Sequence, residues 1–420
     1  MERRIVRLVL VVLVSGTPAL ALGSTGVVAK GHHHSVLYAF TGGSDGGAPM
    51  GRLAFDPAGN LYGTAHFGGV VNCGGSPQAG CGVVFRLTRT HHRWHETPLY
   101  AFTDAADGGF PDAGVILDRF GNLYGTASTG GNFACTIGCG VVYELVPNVS
   151  QTWSEIVLHS FSGTDGQFPN AALFPGLGGT LYSTAWFGGA NGAGTIFSLT
   201  PIGSQWTTTV LYSFAGKQDG TGPTGGLAQD PSGKLFGTTY PSNGYNNGVV
   251  FELRQGKDQM WRQRVVISFV SGATGENPYA GPIIDSDGTL FGTTIQGGLT
   301  GNGVVYEVVH ATSRHPREIV LHTFAGAPDG STPYAGLTLD STGNLYGATL
   351  FGGKHGQGTV FELIKQHPHR YQEKILHDFT GGKDGANPKT EPIIGPDGYL
   401  YGTTEGGGKY GNGVVYQLRP

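Results

Sequence analysis

Short apolar runs separated by polar turn segments recur along the whole chain. In the first clear unit, runs rich in β-branched and aromatic residues alternate with clusters of Gly, Pro, Asn and Asp. Runs of this length bounded by turn formers indicate β-strands rather than helices. The segment Asp56–Asn60 offers an Asx side chain and a glycine for a tight reversal, so it joins the first two strands as a hairpin. The four predicted strands of this unit are Arg52–Phe55, Leu61–Ala65, Val83–Leu87 and Thr97–Phe102.

The unit occurs seven times. Its general form is a phasing Phe, a DGxxP segment, a strand of the LYGTT type, a GG pair and a strand of the GVVFEL type. One such module cannot bury its apolar faces alone, and four short antiparallel strands repeated in this way predict an all-β, seven-bladed β-propeller. The phasing residues are Phe40, Phe102, Phe161, Phe214, Phe269, Phe324 and Phe379.

The two ends of the repeat array complement each other. Residues 36–40 form an isolated fourth strand, whereas residues 413–418 form a third strand that no fourth strand follows. Pairing the two would complete the last blade, close the ring and remove edge strands that invite aggregation. We therefore expect a single propeller over residues 36–420, preceded by a leader at 24–35 that holds His34 and its two histidine neighbours in solvent.

The N-terminus has the features of a secretory signal peptide over residues 1–23. Basic Arg3 and Arg4 precede an apolar run at 8–14 and the small-residue sequence around Ala19 and Ala21. Pro18 and its neighbours break the run before it is long enough to cross a bilayer. We expect a secreted or periplasmic monomer with no membrane span once the signal is removed.

The net charge and the positions of the cysteines bear on the partners of the protein and on its covalent links. The formal net charge is -4 and no basic block stands out, which argues against a nucleic-acid partner. The four cysteines form two local pairs at the same place in consecutive repeats, and export makes disulfides reasonable. Zinc is the alternative, but nothing orders a second pair beside the first, so disulfides are favoured. The pairs are Cys73 with Cys81 and Cys135 with Cys139.

The repeat resembles the GloVer tandem repeat of bacterial exported proteins over essentially the whole mature chain. The segments that carry the resemblance are Leu61–Ala65 with Gly68, Gly69 and Gly82–Phe85, and Leu235–Thr239 with Gly248–Phe251. The resemblance implies export and a repeat fold, and it implies no particular reaction. Many members of that family end in a cell-surface anchoring signal, whereas this chain stops in the last blade, so we expect a freely secreted or periplasmic form.

Candidate chemistry lies where one repeat departs from the others. The DGxxP loop and the loop between the second and third strands share one face because strand directions alternate, and loops on a rigid scaffold commonly carry binding sites. Shortly after the proline most units have a small residue, but units one and seven have Arg52 and Glu391. These two are ring neighbours, so they form either a mutual salt bridge or part of a site.

Two further positions on this face vary between repeats: the residue after the LYGTT strand and the residue directly after the proline. Aromatic rings there can stack on the CH faces of sugars, and charged groups can hold hydroxyls or uronate carboxylates. The mixture predicts a site for an extracellular polysaccharide or other glycan. The candidate ligand-binding residues are Trp186, Tyr240, Lys389, Asp112 and Asn170, and the hypothetical catalytic residues are Glu391, Glu405, His66 and Arg52.

Two alternatives to simple glycan binding stay open: a polysaccharide-degrading enzyme, either a hydrolase or a lyase, and a scaffold for other proteins. The fold does not decide among them, because propellers host unrelated functions. In a polysaccharide hydrolase, Glu391 and Glu405 would be the acid and the base or nucleophile. A scaffold for other proteins would use none of these residues chemically. In a uronate lyase, a cation would neutralise the carboxylate while a base removes the α-proton; the candidates are Arg52 or Lys389 with His66 or Tyr240.

The Asp of the DGxxP segment recurs in six units and is replaced by Thr274 in the fifth. A ring of calcium ligands is conceivable. An Asp followed by Gly is more commonly a turn residue that caps its own backbone, and calcium requires six or more oxygen ligands. We therefore predict no cofactor and favour the turn role. The six residues are Asp45, Asp107, Asp165, Asp219, Asp329 and Asp384.

Overall fold

The computed structural model describes residues 34–69, 73, 80–150, 152–241 and 247–420. It is all-β, with seven antiparallel four-stranded sheets arranged as the blades of a seven-bladed β-propeller, which confirms the predicted fold. The predicted signal peptide lies outside the described residues, as does the leader up to residue 33. Within the part of the chain that the structure describes, no helix is long and apolar enough to cross a membrane.

The strands follow the repeat. The chain begins with β1 (His34–Ala39), and blade 1 contains β2 (Ala54–Phe55), β3 (Leu61–Ala65), β4 (Val83–Thr90) and β5 (Arg93–Ala101). Blade 2 contains β6 (Ile116–Leu117), β7 (Leu123–Ala127), β8 (Val141–Pro147) and β9 (Trp153–Ser160). Blade 3 contains β10 (Phe174–Pro175), a 3₁₀ turn (Leu177–Gly179), β11 (Leu181–Ala185), β12 (Thr195–Ile202) and β13 (Gln205–Ser213). Blade 4 contains β14 (Ala228–Gln229), β15 (Leu235–Thr239), β16 (Val249–Gln255) and β17 (Trp261–Ser268).

Blades 5 and 6 each add a two-stranded ribbon on the loop face, formed by Gly275–Glu276 with Gln296–Gly297 and by Gly330–Ser331 with Phe351–Gly352. Blade 5 contains β18 (Gly275–Glu276), β19 (Ile283–Ile284), β20 (Leu290–Thr294), β21 (Gln296–Gly297), β22 (Val304–Val309) and β23 (Arg317–Thr323). Blade 6 contains β24 (Gly330–Ser331), β25 (Thr338–Leu339), β26 (Leu345–Thr349), β27 (Phe351–Gly352), β28 (Thr359–His367) and β29 (Arg370–Asp378). Blade 7 contains β30 (Ile393–Ile394), β31 (Leu400–Thr404) and β32 (Val414–Leu418), with β1 as its fourth strand.

The ring closes as the chain ends predict. Strand β1 pairs antiparallel with β32, with His34 opposite Leu418 and Ala39 opposite Val414. The strand begins at His34, before the predicted start at residue 36. His34 is therefore not in a solvated leader: its ring stacks on His377 at 3.9 Å between centroids. Burial, together with His377, lowers the pKa of His34 to about 4.

The innermost strand of blade 1 is shorter than the predicted Arg52–Phe55. Only Ala54 and Phe55 pair with the neighbouring strand. The preceding backbone instead packs against the next blade, where a Cβ on Gly114 would lie only 2.0 Å from the carbonyl oxygen of Arg52. Close backbone packing at the centre of the ring therefore delays the start of the strand to Ala54.

One hydrophobic cluster fills each boundary between neighbouring blades, including the boundary between blades 7 and 1. At every boundary a buried phasing Phe meets, edge to face, an aromatic ring on the third strand of the next blade, and such pairs add about 0.5–1.5 kcal/mol beyond burial. The contacts are Phe40–Phe85, Phe102–Tyr143, Phe161–Phe197, Phe214–Phe251, Phe269–Tyr306, Phe324–Phe361 and Phe379–Tyr416, with centroids 5.0–5.4 Å apart.

Both predicted disulfides are present. Cys73 bonds to Cys81, and Cys135 bonds to Cys139. Each bridge ties the loop between the second and third strands of its blade, directly before the glycine at which the third strand begins. The cysteines therefore stiffen the face that carries the candidate site.

Candidate functional site

The DGxxP loops and the loops after the second strand lie on one face, as predicted. The two loops of a blade pair directly, for example Gly47 with Phe67 in blade 1 and Ala386 with Gly406 in blade 7. We call the residues that they present around the channel the mouth. The residues directly after the proline are Met50, Asp112, Asn170, Thr224, Tyr279, Tyr334 and Lys389; those after the second strand are His66, Ser128, Trp186, Tyr240, Ile295, Leu350 and Glu405.

Backbone hydrogen bonds hold the mouth in place at every blade. In blade 1 the N–H of Ala48, just before the proline, donates to Asn412 O of blade 7 at 2.9 Å, and Ala48 O accepts from His66 N at 3.1 Å. The six other pre-proline residues make the same two contacts. Each residue after the second strand is thus fixed to its own loop and, through that loop, to the preceding blade.

The proline ring of each DGxxP segment packs on the glycine that opens the third strand of the preceding blade. At Gly413 the φ angle is +88°, and an added Cβ would lie 2.7 Å from Pro49 Cδ and 2.2 Å from Thr404 O. Only glycine fits such a backbone without strain. The spacing of Gly and Pro in the repeat therefore sets how close neighbouring blades approach at the mouth.

A charged group forms on the side of the mouth that belongs to blade 7. Lys389 Nζ lies 2.8 Å from Glu405 Oε2. The same ammonium lies 3.6 Å from Met50 Sδ of blade 1 and 5.7 Å from the ring centre of Tyr334 in blade 6. Lys389 therefore joins three blades and brings together two predicted site residues.

The second predicted pair also meets. Arg52 Nε lies 3.2 Å from Glu391 Oε1, across the boundary between blades 7 and 1. Arg52 keeps about half of its side chain exposed, which limits the strength of this pair. Both cations of the predicted site are therefore paired with carboxylates of the protein itself.

An aromatic wall lines the mouth at blades 4, 5 and 6. The rings of Tyr279 and Tyr334 lie 4.0 Å apart, and Tyr240 meets Tyr279 edge to face at 5.8 Å. Burial raises the pKa of Tyr334, with further contributions from its hydrogen bond to Tyr279 and from the charge of Asp112. Burial likewise raises the pKa of Tyr279. Both phenols are thus neutral hydrogen-bonding groups with apolar rings.

Asp112 forms the polar side opposite this wall. Its Oδ1 lies 2.5 Å from His66 Nδ1, which joins blades 1 and 2. The negative charge of Asp112 also contributes to the raised pKa values of Tyr279 and Tyr334, so the carboxylate faces the channel. His66 and Asp112, predicted separately, therefore form one unit.

Two predicted residues of blade 3 are less available. Trp186 stacks on Phe187 with centroids 4.8 Å apart, which covers one face of the indole. Its Nε1 and the Oδ1 of Asn170 are buried, with no hydrogen-bond partner in the described part of the chain. The structure thus places both residues at the rim of the mouth, with the indole N–H of Trp186 and the amide oxygen of Asn170 shielded from solvent.

Tyr279 and Tyr334 are the site residues that sequence reasoning missed. They occupy the same register as Asp112, Asn170 and Lys389, directly after the proline. Comparing that one position across all seven repeats would have found them. The contact between them crosses a blade boundary, which the spacing of a single repeat does not reveal.

The repeated Asp residues cap their loops. Asp45 accepts hydrogen bonds from Thr41 N at 2.8 Å and from Tyr38 Oη at 2.9 Å, and Asp107 does the same with Thr103 N and Tyr100 Oη. These contacts fit the turn role. That the ring holds no calcium stays a prediction.

Half-buried carboxyls lie beside these caps, on the outer strands between blades. Burial, with a further contribution from Asp45, raises the pKa of Glu96 to about 8. Burial and Asp107 raise the pKa of Glu155 to about 7. These groups lie away from the mouth, so they concern stability rather than ligand binding.

The closed ring of blades with one loop face defines the class of protein, a repeat-built seven-bladed β-propeller. The sequence profile of the Gloeobacter/Verrucomicrobia repeat matches residues 133–338 and 314–420, more than half of the chain, so the protein belongs to that family. This confirms the resemblance seen in the repeat. Among curated proteins, no sequence matches the chain.

Solved structures share the fold. An ancestral GH74 enzyme is similar with a TM-score of 0.53 and 12% identity, over 85% of this chain and 53% of its own. A puromycin-hydrolyzing peptidase of Mycobacterium tuberculosis gives 0.50 and 13%, over 84% and 49%. A protein from Lactobacillus plantarum gives 0.50 and 13%, over 78% and 84%. At these identities the likeness concerns the fold alone.

Proposed function

We propose that this is an exported propeller that binds a neutral glycan at the mouth. The observation that carries the proposal is the wall formed by Tyr240, Tyr279 and Tyr334 beside a group of polar side chains. Tyrosine rings offer flat apolar surfaces for sugar CH faces, and their hydroxyls hydrogen-bond to sugar hydroxyls. The two disulfides and the predicted signal peptide support export.

The charges favour a neutral ligand over a uronate. Lys389 is paired with Glu405 and Arg52 with Glu391, so neither cation needs the carboxylate of a ligand as its partner. Asp112 adds a further negative charge on the opposite side. An anionic sugar would have to compete with these internal pairs, whereas a neutral sugar can use them as hydrogen-bonding groups.

The test is a binding panel that also detects cleavage. Purified mature protein is run by affinity electrophoresis through gels containing mannan, β-glucan, xylan, pectate or alginate, and new reducing ends are measured in parallel. We expect retardation by at least one neutral polysaccharide, little by pectate or alginate, and no new reducing ends. Retardation should be lost in Tyr334→Ala and kept in Phe120→Ala, an exposed ring on a hairpin away from the mouth.

Other outcomes would replace the proposal. New reducing ends that disappear in Glu391→Gln or Glu405→Gln would make the protein a hydrolase. Cleavage of pectate or alginate that needs Lys389 or His66 would make it a lyase. Failure to bind any polysaccharide would favour the scaffold alternative.

A further inference from the structure

A pocket of about 370 Å³ lies on the loop face where the ring closes, between blades 7 and 1. Its walls come from the DGxxP loop of blade 1, from Phe67 and from the blade 7 residues Glu405 and Asn412. Asn412 is held by its Nδ2, which donates to Thr41 O at 2.8 Å. The volume falls at the lower end of the range typical of ligand sites, about 300–1,000 Å³.

Small residues in the blade 1 loop create this pocket. Gly47 and Ala48 line it, and Ala48 precedes the proline of its DGxxP segment. At the next boundary the residue in the same position as Ala48 is Phe110, whose ring packs against His66 at 5.1 Å and Phe67 at 6.3 Å. A phenylalanine therefore fills between blades 1 and 2 the space that stays open between blades 7 and 1.

Glu405 connects the pocket with the mouth. The residue lines the pocket, and its Oε2 forms an ion pair with the ammonium of Lys389 at the mouth. Lys389 in turn lies over Tyr334. A chain-like ligand stacked on the tyrosine wall can thus continue past Lys389 and Glu405 into the pocket.

We infer that the pocket is an outer subsite for a further uncharged sugar unit of the glycan bound at the mouth, an inference that rests on the proposed function. Phe67, with 41% of its surface exposed, provides the apolar platform. Glu405 provides an acceptor for sugar hydroxyls. The described lining contains a carboxylate and no cation, so an anionic unit is disfavoured there.

The test compares short and long ligands of one glycan. Calorimetric titrations use mannobiose and mannohexaose, and cellobiose and cellohexaose, with wild type and two pocket variants. Ala48→Phe fills the pocket with a residue that blades 2 and 3 already accept at this position, where Phe110 and Phe168 have φ of 54° and 55° and Ala48 has 50°. Phe67→Ala removes the platform.

The matched controls are Thr332→Phe and Phe351→Ala, the same two positions in blade 6. Thermal unfolding first establishes that all four variants fold. We expect wild type to bind a hexasaccharide at least roughly tenfold more tightly than the disaccharide, about the worth of one stacked ring. Both pocket variants should lose that gain and keep disaccharide affinity, while both controls keep the gain.

A length gain that survives in Ala48→Phe and Phe67→Ala would overturn the subsite and leave the proposed function standing. Equal affinity of wild type for the disaccharide and the hexasaccharide would do the same. Absence of binding to all four sugars by wild type would overturn the subsite, and together with a negative polysaccharide panel it would overturn the proposed function as well.

Discussion

The boundary that closes the ring, between blades 7 and 1, and the next boundary, between blades 1 and 2, have similar cores but differ at the rim. In both cores a buried phasing Phe meets an aromatic ring at 5.0 Å, Phe40 on Phe85 and Phe102 on Tyr143. At the rim, Ala48 leaves a pocket where Phe110 packs on the preceding blade. The repeat therefore fixes how blades pack, while single positions on the loop face remain free to form a site.

The largest expected effect tests whether packing at the closure stabilises the protein as much as packing between blades that follow each other in the chain. Phe40→Ala and Phe102→Ala each remove a fully buried ring, so each should cost about 3–5 kcal/mol of unfolding free energy. We expect equal costs in chemical denaturation. A much smaller cost for Phe40→Ala would mean that β1 is only loosely joined to the ring.

The neighbouring boundary carries a disulfide next to Phe110, whereas the closure has Asn412 in the same register. The Phe110 N–H donates to Cys81 O, as the Ala48 N–H donates to Asn412 O. Replacing Cys73 and Cys81 by Ala should lower stability by about 2–3 kcal/mol through loop entropy. Thermal unfolding with and without reductant checks this, because a reductant should shift the wild type, and the double variant only through Cys135 and Cys139.

Each of the two boundaries has a half-buried carboxyl on its outer strand. The pKa of Glu96 at the closure is raised to about 8, from 4.5, and that of Glu155 to about 7. Between pH 4.5 and 8 the folded protein binds more protons than the unfolded chain at these sites, so their contribution to stability falls as pH rises. Glu96→Gln should raise stability by about 2 kcal/mol at pH 8 after allowance for solvent screening, and little at pH 4.5.

The same substitution at Glu155 tests the second boundary. Glu155→Gln should also raise stability as pH rises, because burial and Asp107 raise the pKa of Glu155 as well. Unfolding midpoints measured from pH 4 to 9 would contradict this account if neither variant flattened the pH dependence.

The smallest expected effect concerns Phe110, the residue that fills the rim between blades 1 and 2. Phe110→Ala should make the second boundary resemble the closure, at a cost of about 1–2 kcal/mol because the ring is only partly buried. The His66 side chain loses its neighbour but keeps Asp112. Denaturation measures the cost, and a loss above about 3 kcal/mol would show that the rim and the core are not separable.

The sequence alone was enough for the architecture, because each repeat carries its own strand, turn and packing signals. The phasing Phe, the Gly–Pro spacing and the unpaired end strands predict seven blades and their closure. The site was only partly accessible. The pair His66–Asp112 joins two different blades, and the contacts of Lys389 with Glu405 and of Tyr279 with Tyr334 depend on side-chain direction, which residue spacing does not give.

The ends of the strands also separate into those set by local sequence and those set by contacts between blades. The turn after β2 was readable from Asp56 and Gly59, whereas the late start of that strand at Ala54 follows from backbone contact with Gly114 in another blade. His34 was misplaced for a similar reason. Its burial depends on His377, which lies far away in the chain and adjacent only in the closed ring.

The most direct test of the central claim is a crystal structure of the protein soaked with the neutral oligosaccharide that it binds most tightly. We predict a sugar ring stacked on the tyrosine wall of the mouth, within hydrogen-bonding distance of Tyr334 or Asp112. A sugar bound on the opposite face, or on the outer strands with the mouth unoccupied, would contradict it.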